Sequence, residues 1–302
     1  MKITHRIRND WQLYLFLLVP LAYIIIFAYI PMAGAQIAFR RYAARYGIWG
    51  SPWAGLEHFK RFFESFQFKQ VVSNTVILSF LAIIIGFPIP ILFALLMNSF
   101  NSQIYKKVSQ TIVNLPHFIS VVVLVGMVFQ VLNANTGIYG SIMWNLTGAK
   151  PPDLFARPQS FRFMYVLSGV WQEFGWGSII YLAALAGVNS ELHEAAVLDG
   201  ASRFQRVLYV DFPSILPTVS ILLILRMGAI MSIGFEKVFL MQNSINLPIS
   251  EVISTYVYKV GLTGTTDFSF STAIGLFNSV INMFMIGIVN FTAGRLGETS
   301  LW

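Results

Sequence analysis

No cysteine occurs among the 302 residues, which excludes a disulfide framework and any thiolate nucleophile. Charge is scarce: Asp, Glu, Lys and Arg make up 11% of the chain, against about 25% in a typical soluble protein. The pattern G-x-x-x-x-G-K-[ST] is missing, so there is no P-loop to hold a nucleotide. His5, His58, His117 and His193 are scattered without ligand spacing, and no metal site is expected from them. Glu173 alone among the acidic residues lies deep inside an apolar stretch. A membrane-embedded enzyme needs clustered carboxylates or a nucleophile beside its base, and neither is visible.

Apolar sequence is what the chain has in excess. Hydrophobic residues make up 56% of it, the mean hydropathy is +0.67, and stretches long enough to cross a bilayer recur throughout. The expected fold is an all-α integral membrane protein, a single transmembrane domain over 1–302. Six spans are expected, at about 11–30, 71–96, 112–131, 163–185, 216–240 and 270–291. The first is too long for the apolar core of a signal peptide and reads as a retained helix. Pro88 and Pro90 should bend the second, and Pro116 should delay the start of the third. The net charge of +7 comes from Lys and Arg between the spans. That placement suits lipid headgroups and an acidic solute, and gives no reason to expect nucleic acid.

The longest polar break in the second half runs from Glu191 to Pro217, ELHEAAVLDGASRFQRVLYVDFPSILP. It reads as a short helix capped by Asn189 or Ser190, a stop at Gly200, and a second amphipathic piece that Pro213 and Pro217 end. Glu194-Ala195-Ala196, then Gly200, then Val210-Asp211-Phe212-Pro213 resembles the EAA loop of binding-protein-dependent ABC importers, E-A-A, x3, G, x9, I-x-L-P. Val210 and Phe212 depart conservatively from it, while Asp199 and Ala201 match the D-G-A of the sugar-importing branch. GIWGSPWAGLEHF, LPHFIS, VWQEFGWGSIIYLAAL, GFEKVFLMQN and EVISTYVYKVGL resemble the permeases that import complex oligosaccharides, the alginate importer's first permease among them.

The resemblance implies the transmembrane domain of a type I importer in a bacterial cytoplasmic membrane. In such an assembly a second homologous permease completes a heterodimer, two ATPase subunits bind below, and an extracytoplasmic solute-binding protein docks above. ATP and magnesium would sit on the ATPase subunits, and this chain would bind no cofactor. Residues 191–217 would be the cytoplasmic coupling helix, with Glu191, Glu194, Ala195, Ala196, Asp199, Gly200 and Pro213 at the ATPase. Six spans put both termini on the side of that loop, hence in the cytoplasm. The charge bias does not orient the chain, because Lys and Arg fall on both sides.

An ionisable group at bilayer depth is a functional candidate. Arg226, about ten residues into the fifth expected span, would lie roughly 15 Å deep. Glu173 falls at similar depth in the fourth. The two are open to two readings, an ion pair that fixes packing or a solute contact in which Arg226 grips a uronate carboxylate. Trp171 and Trp176 offer faces for sugar rings. Asn278 and Asn282 share one face of the sixth span, where helix-to-helix bonding is the favoured role. Glu236 and Lys237 read as a surface or loop-anchoring pair. The expected cargo is an acidic oligosaccharide such as alginate. A permease for neutral oligosaccharides is the alternative, and after it a secondary transporter, although no internal symmetry of that kind is present.

Overall fold

The computed structural model describes residues 11–263 and 266–295. The described chain is helical, and its strand-like feature is an isolated antiparallel bridge between Arg40 and Trp53. The helices used below are α1 (Trp11–Ile24), α2 (Glu57–Glu64), α3 (Phe66–Gly86), α4 (Pro88–Ser99), α5 (Gln103–Asn114), α6 (Val121–Val131) and α7 (Ile138–Thr147). They continue with α8 (Ser160–Ala186), α9 (Ser190–Leu198), α10 (Arg203–Arg206), α11 (Phe212–Gly228), α12 (Phe235–Met241), α13 (Ile253–Tyr258) and α14 (Phe268–Arg295).

Among the described residues, four stretches are long and apolar enough to cross a membrane: Trp11–Phe39, Phe66–Ser99, Arg203–Gly228 and Phe268–Arg295. A fifth is the broken pair Gln103–Phe118 and Val121–Val131, bent by 101°. The bend follows from sequence. Pro116 allows only a 3-10 turn over Leu115–Phe118, and the regular helix restarts where Ser120 Oγ accepts from the amide of Val123. The segment before it is helical from Gln103, because Ser102 caps that end too. Helix α8 has 27 residues, about 40 Å of helix, but Arg162, Gln172 and Glu173 lower its hydropathy below that of the others.

The fifth expected span is corrected at both ends. The segment runs as helix from Arg203 to Gly228 without a stop at Pro213 or Pro217. A π-turn over Val207–Asp211 precedes Pro213. It widens the turn where the proline ring would strike a carbonyl and where no N–H is available. The helix then ends, and residues 229–234 are irregular before α12. Neighbours satisfy the freed backbone groups. Asn282 Oδ1 accepts from the Met231 amide at 2.9 Å and its Nδ2 donates to Ser232 Oγ at 2.8 Å, while the Ser79 hydroxyl donates to the Ile230 carbonyl. Irregular backbone is tolerated at membrane depth only when it is satisfied in this way.

The chain divides into two compact units, residues 1–65 with 257–277, and residues 66–256 with 278–302. In the first, Phe62 is fully buried against the edges of Phe270 and Phe277. Arg61 pairs with Asp267 at 2.6 Å, and the Tyr42 amide donates to Ser269 Oγ. Apolar cores are formed among the described residues of the second unit. One gathers Leu78, Val125, Phe161, Met164 and Val238, and another Ile91, Leu95, Tyr181 and Ile215. The loop after α12 is pinned by buried polar groups. Asn74 Nδ2 donates to the carbonyls of Pro248 and Glu251, and the Ile253 amide donates to Thr75 Oγ1.

Candidate functional site

The polar break forms one compact device. Asn189 Oδ1 accepts from the Glu191 amide at 3.0 Å and so starts α9. Glu191 lies in its first turn, at the positive end of the helix dipole. The helix ends at Asp199 in a two-bond cap: the Ala201 amide bonds the Ala196 carbonyl at 2.9 Å, and the Gly200 amide the Val197 carbonyl at 3.0 Å. The cap requires Gly200 at φ +78°, a left-handed conformation that costs any residue with a Cβ. Ser202 and Gln205 then exchange the two bonds of a capping box and start α10. No residue of α9 is buried. Glu194, Ala195 and Asp199 are exposed, and Leu198 is 88% exposed. The exposed surface mixes acidic groups with the apolar side chains Leu192, Val197 and Leu198.

A second site is a pair of adjoining cavities of about 570 and 490 Å3 that share Gly86, Pro90, Trp176, Gly177 and Arg226 in their walls. The first is apolar, with Phe87, Ile180, Leu222 and Leu225. The second adds Gln172, Glu173, Glu236 and Lys237. Trp176 and Arg226, singled out from the sequence, therefore reach the same space, and Glu173 joins them on one side. Arg226 is not at mid-helix as expected. It lies in the last turn of α11, exposed to the cavities, and among the described residues it forms no ion pair.

Glu173 does not meet Arg226. Its Oε2 lies 3.0 Å from His117 Nδ1, and the His117 ring stacks on Trp176 with centroids 4.5 Å apart and planes 3° apart. The packing reading of a Glu173–Arg226 pair is thereby corrected. His117 arrives there because α5 crosses α8 at Gly175. A Cβ on that residue would fall 2.1 Å from the Val113 carbonyl oxygen, and Gln172 Nε2 donates to the Ile119 carbonyl at 2.8 Å. Lys237 is buried rather than superficial, with Nζ donating to the Tyr165 carbonyl at 2.8 Å and lying 4.7 Å from that ring's centroid. Glu236 beside it is exposed. Asn282 bonds the irregular segment after α11, while Asn278 keeps a buried Oδ1 that has no hydrogen-bond partner among the described residues. His117 and Lys237 carry no sequence signal for these roles, since their partners lie far away in the chain. His5 lies outside the described residues.

Residues 86–297 match the family described as binding-protein-dependent transport system inner membrane component. Protein LplB of Bacillus subtilis (strain 168) is 40% identical over 296 residues, covering 98% of this chain and 92% of that protein. The polygalacturonan/rhamnogalacturonan transport system permease protein YteP of the same organism is 38% identical over 290 residues, covering 96% and 90%. A crystal structure of a bacterial ABC transporter involved in the import of the acidic polysaccharide alginate contains a chain 38% identical, superposing with a TM-score of 0.89 over 98% of this chain and 99% of that one. In a second structure that transporter is in complex with an alginate pentasaccharide-bound periplasmic protein, with a TM-score of 0.90 over 100% of both chains. The helical spans, the capped polar break and this likeness across nearly the whole length lead to one conclusion: the chain belongs to the binding-protein-dependent transport system inner membrane component family and is a sugar-import permease of the ABC type.

Proposed function

We propose that the chain is one permease half of an importer for an acidic oligosaccharide. The observation that carries this reading is Arg226, an exposed residue with no ion partner among the described residues, in the wall shared by two cavities that Trp176 also lines. Guanidinium takes a carboxylate through two parallel hydrogen bonds, and an indole face suits the apolar side of a sugar ring. The likeness to a chain of the alginate importer supports the same class of cargo. In this reading α8 is a sixth span, and α9 with its Gly200 cap is the cytoplasmic coupling helix, which places both termini in the cytoplasm. The exposed apolar face of α9, Val197 and Leu198 included, seats on an ATPase subunit. Two such subunits hold ATP and magnesium, this chain binds neither, a second permease completes the pathway, and a solute-binding protein delivers the cargo.

The test is ATP hydrolysis by the reconstituted complex with binding protein loaded with uronate or neutral oligosaccharides. Stimulation by the uronate-loaded protein, lost in Arg226→Ala, is expected. Stimulation by neutral oligosaccharides alone would return Arg226 to a packing role and reject the acidic cargo.

A further inference from the structure

Asp211 is a carboxylate that the solute cavities do not use. Its side chain is 4% exposed, and it sits in the π-turn at the base of α11. Two donors converge on its Oδ1: Asn98 Nδ2 at 3.1 Å, from the end of α4, and His193 Nε2 at 3.2 Å, from α9. Asn98 is itself held, with Lys106 Nζ donating to its carbonyl at 3.3 Å. The three side chains line a small polar cavity of about 260 Å3 together with Arg203 and Arg206.

A buried carboxylate is tolerated only while its donors stay in place, so Asp211 resists any movement that separates α9, α4 and the base of α11. The remainder of α9 offers little other hold, because none of its residues is buried. His193 is the polar side chain by which this helix grips the body of the second unit. Neither His193 nor Asp211 occupies a fixed position of the E-A-A…G…I-x-L-P pattern, so their pairing is not part of the motif's own requirements.

We infer that His193 is a positioning residue that, through Asp211, locks α9 to α11 and α4, so that displacement of α9 is passed to both spans as one rigid movement. This rests on the reading of α9 as the coupling helix. The lock acts on force transmission and touches neither solute nor nucleotide.

The experiment uses the full reconstituted complex and three readouts: retention of the ATPase subunits, ATP hydrolysed, and oligosaccharide imported per ATP. His193→Phe should keep the ATPase subunits and continue to hydrolyse ATP. Its import per ATP should fall about tenfold, the scale of one lost hydrogen bond to a buried charge. His193→Gln retains an N–H donor and should recover most of that loss. Combining His193→Phe with Asp211→Asn should be no worse than the poorer single variant, as expected of residues acting as one unit. Wild-type import per ATP in His193→Phe overturns the lock, as does a glutamine variant no better than phenylalanine, or losses that add. Loss of the ATPase subunits from His193→Phe also overturns it, since His193 would then act at the docking surface. Leu198→Cys in this cysteine-free chain separates the underlying reading. Failure of that thiol to cross-link to the ATPase would remove α9 as the coupling helix and the lock with it, whereas a cross-link together with normal coupling in His193→Phe would sink the lock alone.

Discussion

Replacing Gly175 by alanine adds one methyl group, yet it should disrupt the wall of the cavity that Glu173 and Trp176 line. The added Cβ would lie 2.1 Å from the Val113 carbonyl oxygen and 2.5 Å from its carbon. Both obstacles are backbone, so no rotamer change relieves them. Restoring an ordinary contact of about 3.4 Å from 2.1 Å requires α5 and α8 to part by about 1.3 Å. Overpacking of this kind costs about 1–3 kcal/mol, and the displacement falls on the segment that carries His117. A hydrogen bond of 3.0 Å to Glu173 and a ring stack of 4.5 Å on Trp176 do not survive a shift of that size. The assay pairs thermal unfolding of the purified chain with import by the reconstituted complex, and Gly126→Ala is the control. Gly126 lies in α6 with nothing within 4 Å of a built Cβ, so alanine there should be neutral or stabilising by up to about 1 kcal/mol. Wild-type melting and import in Gly175→Ala would refute the close-crossing argument and, with it, the claim that α5 positions His117.

Three further outcomes are expected. Gly200→Val meets no steric obstacle, but it must hold a branched residue at positive φ; it should cost about 1–2 kcal/mol locally and weaken retention of the ATPase subunits, so normal retention would reject the cap argument. Arg226→Ala should lower import of uronate oligomers by about tenfold or more while leaving neutral oligomers and complex assembly unchanged, and an equal loss for both cargoes would count against a carboxylate contact. Asn282→Ala leaves the Met231 amide without its acceptor; it should destabilise the chain by about 1–3 kcal/mol, read as a lower melting temperature, and an unshifted melt would mean that the broken segment is satisfied by other means.

The parts of this fold legible in the sequence were those written locally. The fourth expected span, 163–185, differs from α8 by a few residues because an apolar run between polar loops fixes its own ends. Gly200 was legible as a stop because a helix that must turn left-handed has few other residues to use. Pro213 misled for a physical reason: a proline inside a helix usually ends it, but a π-turn one residue upstream absorbed the clash, so the helix reaches back to Arg203. The early end of that helix at Gly228 moved Arg226 from the middle of a span to its end. The site was half legible. Arg226 and Glu173 were legible as ionisable groups at bilayer depth and Trp176 as a face for a sugar ring, and the three share a wall. What Glu173 binds was not readable, because His117 comes from another helix whose approach depends on the absence of one methyl group at Gly175. The pairing of His193 with Asp211 was hidden likewise, each residue looking locally like ordinary solvated polarity.

The interruption after Gly228 has a mechanical meaning. From Arg203 to Gly228 the backbone is one helical rod of 26 residues, roughly 39 Å long. Beyond it, α12 is anchored through Lys237 to the Tyr165 carbonyl. The rod stops at a joint of irregular backbone, with α12 on the far side. Arg226 stands on one side of that joint and Lys237 on the other, in the wall of one cavity. A rotation at this joint would reshape that cavity with no helix having to bend.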